Sequence, residues 1–366
     1  MESDFQNNQI VRHIYIHIPF CKKKCGYCSF YSENYSLAKV RAFWENLQKE
    51  IELFSQKFQI IPKTIYFGGG TPSLLSAKQI QAIISKFDLT EIEEITLECN
   101  PATLDESYIA ALAETAVNRI SLGVQSFLNA ELENLGRLHN TQKVSNSFQL
   151  LRKHQFHNIS LDLIYGLPNQ TKGDVAFSLG KIINLQPEHI SIYCLSLEED
   201  VPLFPQKQFI PTDEKVAEFY HFIREKLMKN NFQQYEISNF SKKGFASKHN
   251  LAYWSDKSYL GFGPAAAGYF GKNKKKYRYQ NLTNLQNWQT NDFAETNHEI
   301  DFILTGLRKT EGISLTEFKQ KFKITFLDKY ANILKKHRNY FTIENGYIKF
   351  QPSAYFISNE ILMEFV

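Results

Sequence analysis

Cysteine, methionine and tryptophan are scarce in this chain, with 5, 3 and 3 copies among 366 residues. A small and odd number of cysteines excludes a disulfide framework. No apolar run approaches the ~18 residues needed to cross a bilayer, so no transmembrane segment is expected. The opening residues, Met1-Glu2-Ser3-Asp4-Phe5, lack the charged-then-apolar pattern of a secretory signal, and a cytoplasmic location is expected. Neither sign of charge dominates: 42 basic side chains face 38 acidic ones, too even a balance to argue for nucleic acid. No internal repeat or low-complexity tract stands out. Aromatic residues, in contrast, are plentiful, with 30 Phe and 19 Tyr, which suits a large core or a flat-ring ligand.

Three of the five cysteines crowd one loop, in the order Cys21-x3-Cys25-x2-Cys28, directly after an apolar run. Thiolates so close together hold a metal or a cluster. Four ligands would suit a structural zinc or a fully ligated cluster. Three leave one iron of a [4Fe-4S] cube open to a small molecule. A zinc knuckle completed by His17, Cys99 or Cys194 is the competing reading.

Short apolar runs at 13–20, 64–70, 94–101, 118–125, 158–168 and 189–196 read as strands, rich in Ile, Leu and Tyr with alternation. Helix-like stretches at 37–58, 77–87, 104–114, 142–154 and 171–185 separate them. Strands alternating with helices make parallel βαβ units, in an open sheet or an incomplete (β/α) barrel. The alternation decides between the two. Ile95 and Leu97 oppose Thr96, Glu98 and Asn100. Ile120, Leu122 and Val124 oppose Arg119, Ser121, Gly123 and Gln125. Leu161 and Leu163 oppose Asp162. A doubly wound sheet is apolar on both faces. One polar face in strand after strand implies a polar interior, and we read it as a ligand-filled partial barrel with its site at the C-terminal strand ends. A structural polar network is the alternative. Beyond residue 196 the rhythm changes: a helix at 212–230, a segment rich in glycine, alanine and aromatics at 244–271, and a basic hairpin or loop at 272–276. Helices at 300–307, 315–322 and 327–337 precede a hairpin at 341–350 that turns at Asn345-Gly346.

The second strand ends in Gly68-Gly69-Gly70-Thr71-Pro72, where the backbone can approach a ligand closely. Further along come Glu98-Cys99-Asn100-Pro101, Ser121-Leu122-Gly123-Val124-Gln125-Ser126, Leu135-Gly136-Arg137-Leu138-His139 and Asp162-Leu163-Ile164-Tyr165-Gly166-Leu167-Pro168. With Tyr15-Ile16-His17-Ile18-Pro19-Phe20 and the cysteine loop, this ordered set resembles the radical S-adenosylmethionine (SAM) superfamily. Within it, the set resembles the oxygen-independent coproporphyrinogen III dehydrogenases and their relatives, the HemW-type heme chaperones, from about residue 13 to the C-terminus.

The resemblance implies an α/β fold: an incomplete (β/α)6 radical SAM barrel over 1–200, a barrel extension over 201–298 and a small winged-helix-like α+β domain over 299–366. It also implies that Cys21, Cys25 and Cys28 hold a [4Fe-4S] cluster. Tyr15, Tyr27, Gly69, Gly70, Thr71 and Glu98 would line SAM; Gln125, Arg137 and Asp162 would contact SAM or a ligand beside it.

Two departures divide the family. The dehydrogenases resembling this chain carry a fourth cysteine two positions after the third, where this chain has Phe30. They also have a longer N-terminal extension, whereas only 14 residues precede Tyr15. The run His249-Asn250-Leu251-Ala252-Tyr253-Trp254 looks like the signature of the HemW group, which implicates His249 in heme binding. Imidazole is a common axial ligand of heme iron, although a histidine among aromatics is also an ordinary structural residue.

The expected function is therefore a heme chaperone that binds heme and a SAM-ligated cluster. It would pass heme to acceptor hemoproteins, respiratory ones among them, with no catalytic residue assigned. The alternative is a coproporphyrinogen III dehydrogenase. No nucleic-acid partner is expected, because the basic residues Lys335, Lys336, His337 and Arg338 are interspersed with acidic ones.

Overall fold

The computed structural model describes residues 7–272, 274–289 and 292–366. Six parallel strands form its centre: β1 (Asn7–Ile18), β4 (Phe58–Gly69), β5 (Glu94–Cys99), β6 (Arg119–Gln125), β7 (Ile159–Tyr165) and β8 (His189–Cys194). They lie side by side in chain order, each parallel to the last. A doubly wound sheet reverses its order at a switch point. This one does not, which is the winding of a barrel. Two additions extend it into nine strands: β11 (Leu260–Phe262) pairs in parallel with β1, while β10 (Asn239–Ser241) and β9 (Gln233–Gln234) add antiparallel beyond β8.

Local sequence accounts for the elements. Side chains along a strand alternate between faces. Ile14, Ile16 and Ile18, then Ile65 and Phe67, Ile95 and Leu97, and Ile120, Leu122 and Val124 all point to one face and are fully buried. Burying each such side chain contributes about 1.5–3 kcal/mol. Against that face pack α1 (Leu37–Lys57), α2 (Ala77–Ile84), α3 (Glu106–Ala113), α5 (Thr141–Lys153) and α6 (Lys172–Leu185), with a short α4 (Asn129–Asn134) before α5. Ser36 and Asp105 cap α1 and α3, and capping boxes open α2 (Ser76 with Gln79) and α6 (Thr171 with Asp174). The expected helices agree with these to within one to three residues at each end.

α7 (Asp213–Lys229) follows as expected, then α8 (Lys248–Trp254), which no local periodicity predicts. The strands β12 (Ala267–Lys272), β13 (Lys275–Gln280) and β14 (Ala294–Glu295) form a small antiparallel sheet. β12 and β13 are the basic hairpin, with residue 273 outside the described residues. The C-terminal segment contains α9 (His298–Gly306), α10 (Leu315–Phe322), α11 (Phe326–Lys329) and α12 (Ala331–Lys336). Its three-stranded sheet combines β15 (Ile313–Ser314), β16 (Phe341–Glu344) and β17 (Tyr347–Phe350), with Asn345 and Gly346 both at positive φ in the turn.

The single helix expected over 327–337 is instead broken at Tyr330. That residue leaves helical geometry, at φ −104° and ψ 20°, while its ring packs on Phe326 and Phe365 and its hydroxyl donates to Glu299. One apolar cluster runs from Val11 to Phe365, and a smaller one gathers Leu135, Ile164, Leu167, Leu195 and Leu203.

Candidate functional site

The inner face of the six strands is polar, as the alternation predicts. Strand pairing places Tyr66 beside Tyr15 and Thr96, Arg119 beside Thr96, Ser160 beside Ser121 and His189, and Asp162 beside Gly123 and Ser191. Toward the C-terminal strand ends this interior opens into a cavity of about 430 Å³. All three clustered cysteines line it, and so do Tyr27, Gly69, Gly70, Thr71, Glu98, Gln125, Arg137 and Asp162. Tyr15 lies below it. Its ring packs on Tyr66 at 6.2 Å and its hydroxyl meets His17 Nδ1 at 3.1 Å.

The cysteine loop is pinned from several sides. Gly26 donates to Leu135 O at 3.0 Å and accepts from Leu203 N at 2.8 Å. Cys21 lies in β2 (Phe20–Cys21), which pairs with β3 (Glu33–Asn34). The glycine run closes on this loop, with Gly70 N donating to Ile18 O at 2.8 Å and Thr71 N to Phe20 O at 2.7 Å. Gly69 has φ +107°, and a Cβ there would sit 2.6 Å from the His17 ring. A Cβ on Gly70 would sit 2.7 Å from Phe20 O, so the backbone passes here only without side chains.

Arg137 joins the loop to the strands. Its Nη2 donates to Gly123 O at 2.8 Å, and its Nη1 lies 3.5 Å from Cys25 Sγ and 3.4 Å from the Tyr27 hydroxyl. Burial raises the pKa values of Tyr27 and Cys28 above their ordinary levels; Arg137 opposes this at Tyr27, and the Phe30 backbone amide, then Lys24, oppose it at Cys28. Burial also raises Glu98 to about 7, against hydrogen bonds from the Tyr66 hydroxyl and the Gly69 amide. Asp162 is raised by burial too, offset by the hydroxyls of Ser191, Ser121 and Ser160 and by Arg119.

These residues fit a cluster with a polar ligand beside it. The three thiols are free and partly exposed on one cavity. Gln125 Oε1 and Arg137 Nε are buried without a partner, which suits a polar occupant. Of the extra ligands the zinc alternative needs, both nitrogens of His17 are bound, to the Tyr15 hydroxyl and Tyr31 O, and buried Cys99 points to Leu97 O, while Cys194 is free and lines the same cavity as the three thiols. Among the described residues no three His, Cys, Asp or Glu side chains converge as single-ion ligands do.

His249 lies elsewhere. It is fully buried in the barrel interior, with Nδ1 2.7 Å from Thr64 Oγ1 and Nε2 2.8 Å from the Tyr253 hydroxyl. Burial holds its pKa well below the ordinary value, and His13 and Arg119 add to this. Three further interior residues contribute without belonging to the site motifs. Arg119 is 2% exposed and places positive charge among Glu94, Tyr66, Tyr235 and Asp162. Glu94 and Thr64 hold the His249 segment. Their polar positions in the strand alternation were the available signal. Phe30, 65% exposed, and Tyr193, 45% exposed, give the cavity an apolar rim.

A parallel barrel with three clustered thiols at its C-terminal mouth defines a radical SAM protein, and the Radical SAM superfamily model matches residues 15–180. The chain is 39% identical over 332 residues to the heme chaperone HemW of Lactococcus lactis, covering 85% of each chain. It is 34% identical over 368 residues to the heme chaperone HemW of Bacillus subtilis, covering 96% of each. The solved structure of coproporphyrinogen III oxidase (HemN) from Escherichia coli, a radical SAM enzyme, superposes with a TM-score of 0.79 at 19% identity, covering 99% of this chain and 91% of that one. The chain belongs to the HemW family of the radical SAM superfamily.

Proposed function

We propose that the chain is a heme chaperone that binds heme and a SAM-ligated [4Fe-4S] cluster and hands heme to acceptor proteins. The observation that carries this reading is the near full-length identity with proteins named heme chaperone HemW. Phe30 at the cavity, where the dehydrogenases resembling this chain have a fourth cysteine, supports it further. Cys21, Cys25 and Cys28 would hold the cluster. Gly69, Gly70, Thr71, Glu98, Gln125, Arg137 and Asp162 would surround SAM, with Tyr27 in the cluster loop and Tyr15 beneath.

The residues suit these tasks. Arg137 can pair a carboxylate, and Glu98 and Asp162 can accept hydrogen bonds from hydroxyls or an ammonium. The cluster supplies a single electron and an open iron for the methionyl group of SAM. Acceptors would include respiratory hemoproteins, and the setting would be the cytoplasm. No helix among the described residues is long and apolar enough to cross a membrane.

Heme is proposed to dock at the α8 motif. With both ring nitrogens of His249 engaged, iron ligation by His249 requires it to give up the bond to Thr64 of β4 or the one to Tyr253 of its own helix.

The test is an anaerobic heme titration of the cluster-reconstituted protein, followed by Soret absorbance, beside incubation with coproporphyrinogen III and SAM under reducing conditions. One-to-one heme binding without decarboxylation is expected. Decarboxylation without heme binding would make the chain a dehydrogenase.

A further inference from the structure

α8 seats against the N-terminal ends of the strands, and Glu94 of β5 holds its first turn. The carboxylate accepts from Ser247 Oγ at 3.2 Å, Lys248 N at 2.9 Å and His249 N at 3.1 Å. An acidic group at a helix start satisfies amides that the helix itself cannot. So anchored, α8 inserts the His249 ring into the barrel, where Thr64 and Tyr253 fix its two nitrogens.

The face of that ring stacks on Tyr66, with centroids 5.1 Å apart and planes inclined by 26°. Tyr66 packs against Tyr15 as well, at 6.2 Å and 25°. Its hydroxyl donates to Glu98 Oε1 at 2.8 Å. Glu98 lines the cavity that carries the three thiols. One tyrosine therefore separates the buried imidazole from a carboxylate of the cavity wall.

We propose that His249 is a positioning residue for the SAM site, holding Tyr66 in the orientation that directs Glu98 toward the ligand. This rests on the reading of the cavity as a SAM site, given above. The physical argument is one of confinement. A phenol hydroxyl fixes a carboxylate only as well as its own ring is fixed, and the His249 ring is one of the flat surfaces against which Tyr66 lies. Glu98 needs such a donor because burial disfavours its ionised form. A loosened Tyr66 leaves Glu98 both less ordered and less charged, and so a poorer acceptor for ligand hydroxyls or an ammonium.

The test measures SAM affinity by equilibrium dialysis of the anaerobically reconstituted protein, with iron content recorded for every variant. Tyr66→Phe keeps the stack and removes only the hydroxyl, and is expected to weaken SAM about tenfold. His249→Ala should weaken it by a similar factor. Thr64→Val, nearly isosteric, releases the Nδ1 of His249, and that of His13 which shares the hydroxyl at 3.0 Å, without removing either ring, and should weaken it about threefold. The doubles His249→Ala/Tyr66→Phe and Thr64→Val/Tyr66→Phe should bind SAM no more weakly than the weaker of their parents, because both changes act through one hydroxyl. Iron content should stay at the wild-type level, and the change that SAM causes in the electron paramagnetic resonance spectrum of the reduced cluster should need more SAM in each variant.

Unchanged SAM affinity in folded, iron-loaded His249→Ala or Thr64→Val would overturn the proposal, as would additive losses in the doubles. If His249→Ala does not fold, the Thr64→Val cycle decides alone. A wild-type protein that binds no SAM would overturn the reading of the cavity itself, and the proposal with it.

Discussion

Arg137 approaches Cys25 with Nη1 3.5 Å from the sulfur, while Nη2 holds Gly123 O at 2.8 Å. A single guanidinium thus ties the middle thiol of the loop to the fourth strand of the barrel. Burial opposes the charge of Arg137, and the neighbouring Tyr27 and Cys25 outweigh that opposition and hold it in place. Arg137→Lys keeps a cation but loses the fork that reaches two partners at once. SAM affinity is expected to fall about tenfold, with iron content retained, in the same dialysis measurement. Unchanged affinity would remove Arg137 from the SAM contacts.

The cysteines separate by location. Cys21→Ala, Cys25→Ala and Cys28→Ala are each expected to abolish iron and acid-labile sulfide after reconstitution, with unfolding temperatures near that of the wild-type apoprotein, because these thiols are not part of the apolar core. Cys194→Ala, although Cys194 lines the same cavity, should reconstitute normally. Iron and sulfide assays decide this, and loss of iron in Cys194→Ala would show a different ligand set.

Glu50 of α1 receives three donors: Gly263 N at 2.8 Å, Trp288 Nε1 at 2.7 Å and Asn281 Nδ2 at 2.6 Å. It therefore clips residues 263–288 to the first helix. Burial raises its pKa to about 7, against these hydrogen bonds, from an ordinary 4.5. A carboxyl with a raised folded-state pKa contributes stability that is present below 4.5 and lost as pH rises through about 7. Thermal melts of wild type and Glu50→Gln across that window should show the wild type losing ground relative to the variant as pH rises. Parallel profiles would contradict this assignment.

Asp256 gathers Lys276, Lys321, His298 and the Tyr269 hydroxyl around one carboxylate whose side chain is 3% exposed. It links the small sheet of β12–β14 to α9 and α10. Burial alone would raise its pKa, but His298, Lys276 and Lys321 together hold it well below the usual range. Its contribution is therefore present above the ordinary carboxylate pKa and lost in acid. Asp256→Asn should cost about 3 kcal/mol at neutral pH, read by chemical denaturation, since it removes the one buried carboxylate that the partly buried Lys276 and Lys321 share. A cost near zero would show that the cluster is held by packing instead.

The six inner strands, their order and the polar interior were legible because strand alternation is a local signal, repeated in each βαβ unit. The cysteine loop and glycine run were legible because their spacing is itself the chemistry. The setting of His249 was not. Its partners Thr64 and Glu94 lie 185 and 155 residues earlier in the chain, and α8, with 7 residues, is too short to show a helical period. The break at Tyr330 was hidden for a similar reason. Periodicity continues through it, and only the distant Glu299 and Phe365 draw the tyrosine out of the helix. Strand β11 pairs with β1 across more than two thirds of the chain, which no local pattern reports.

Delivery of heme by this chain is read from transfer to an acceptor. Cluster-reconstituted protein loaded with one equivalent of heme would be mixed anaerobically with a heme-free respiratory hemoprotein, with the Soret spectra of both followed after separation. A heme chaperone should load the acceptor faster than it releases heme into buffer containing a heme scavenger. Heme that stays bound, or reaches the acceptor only at the rate of free dissociation, would contradict it.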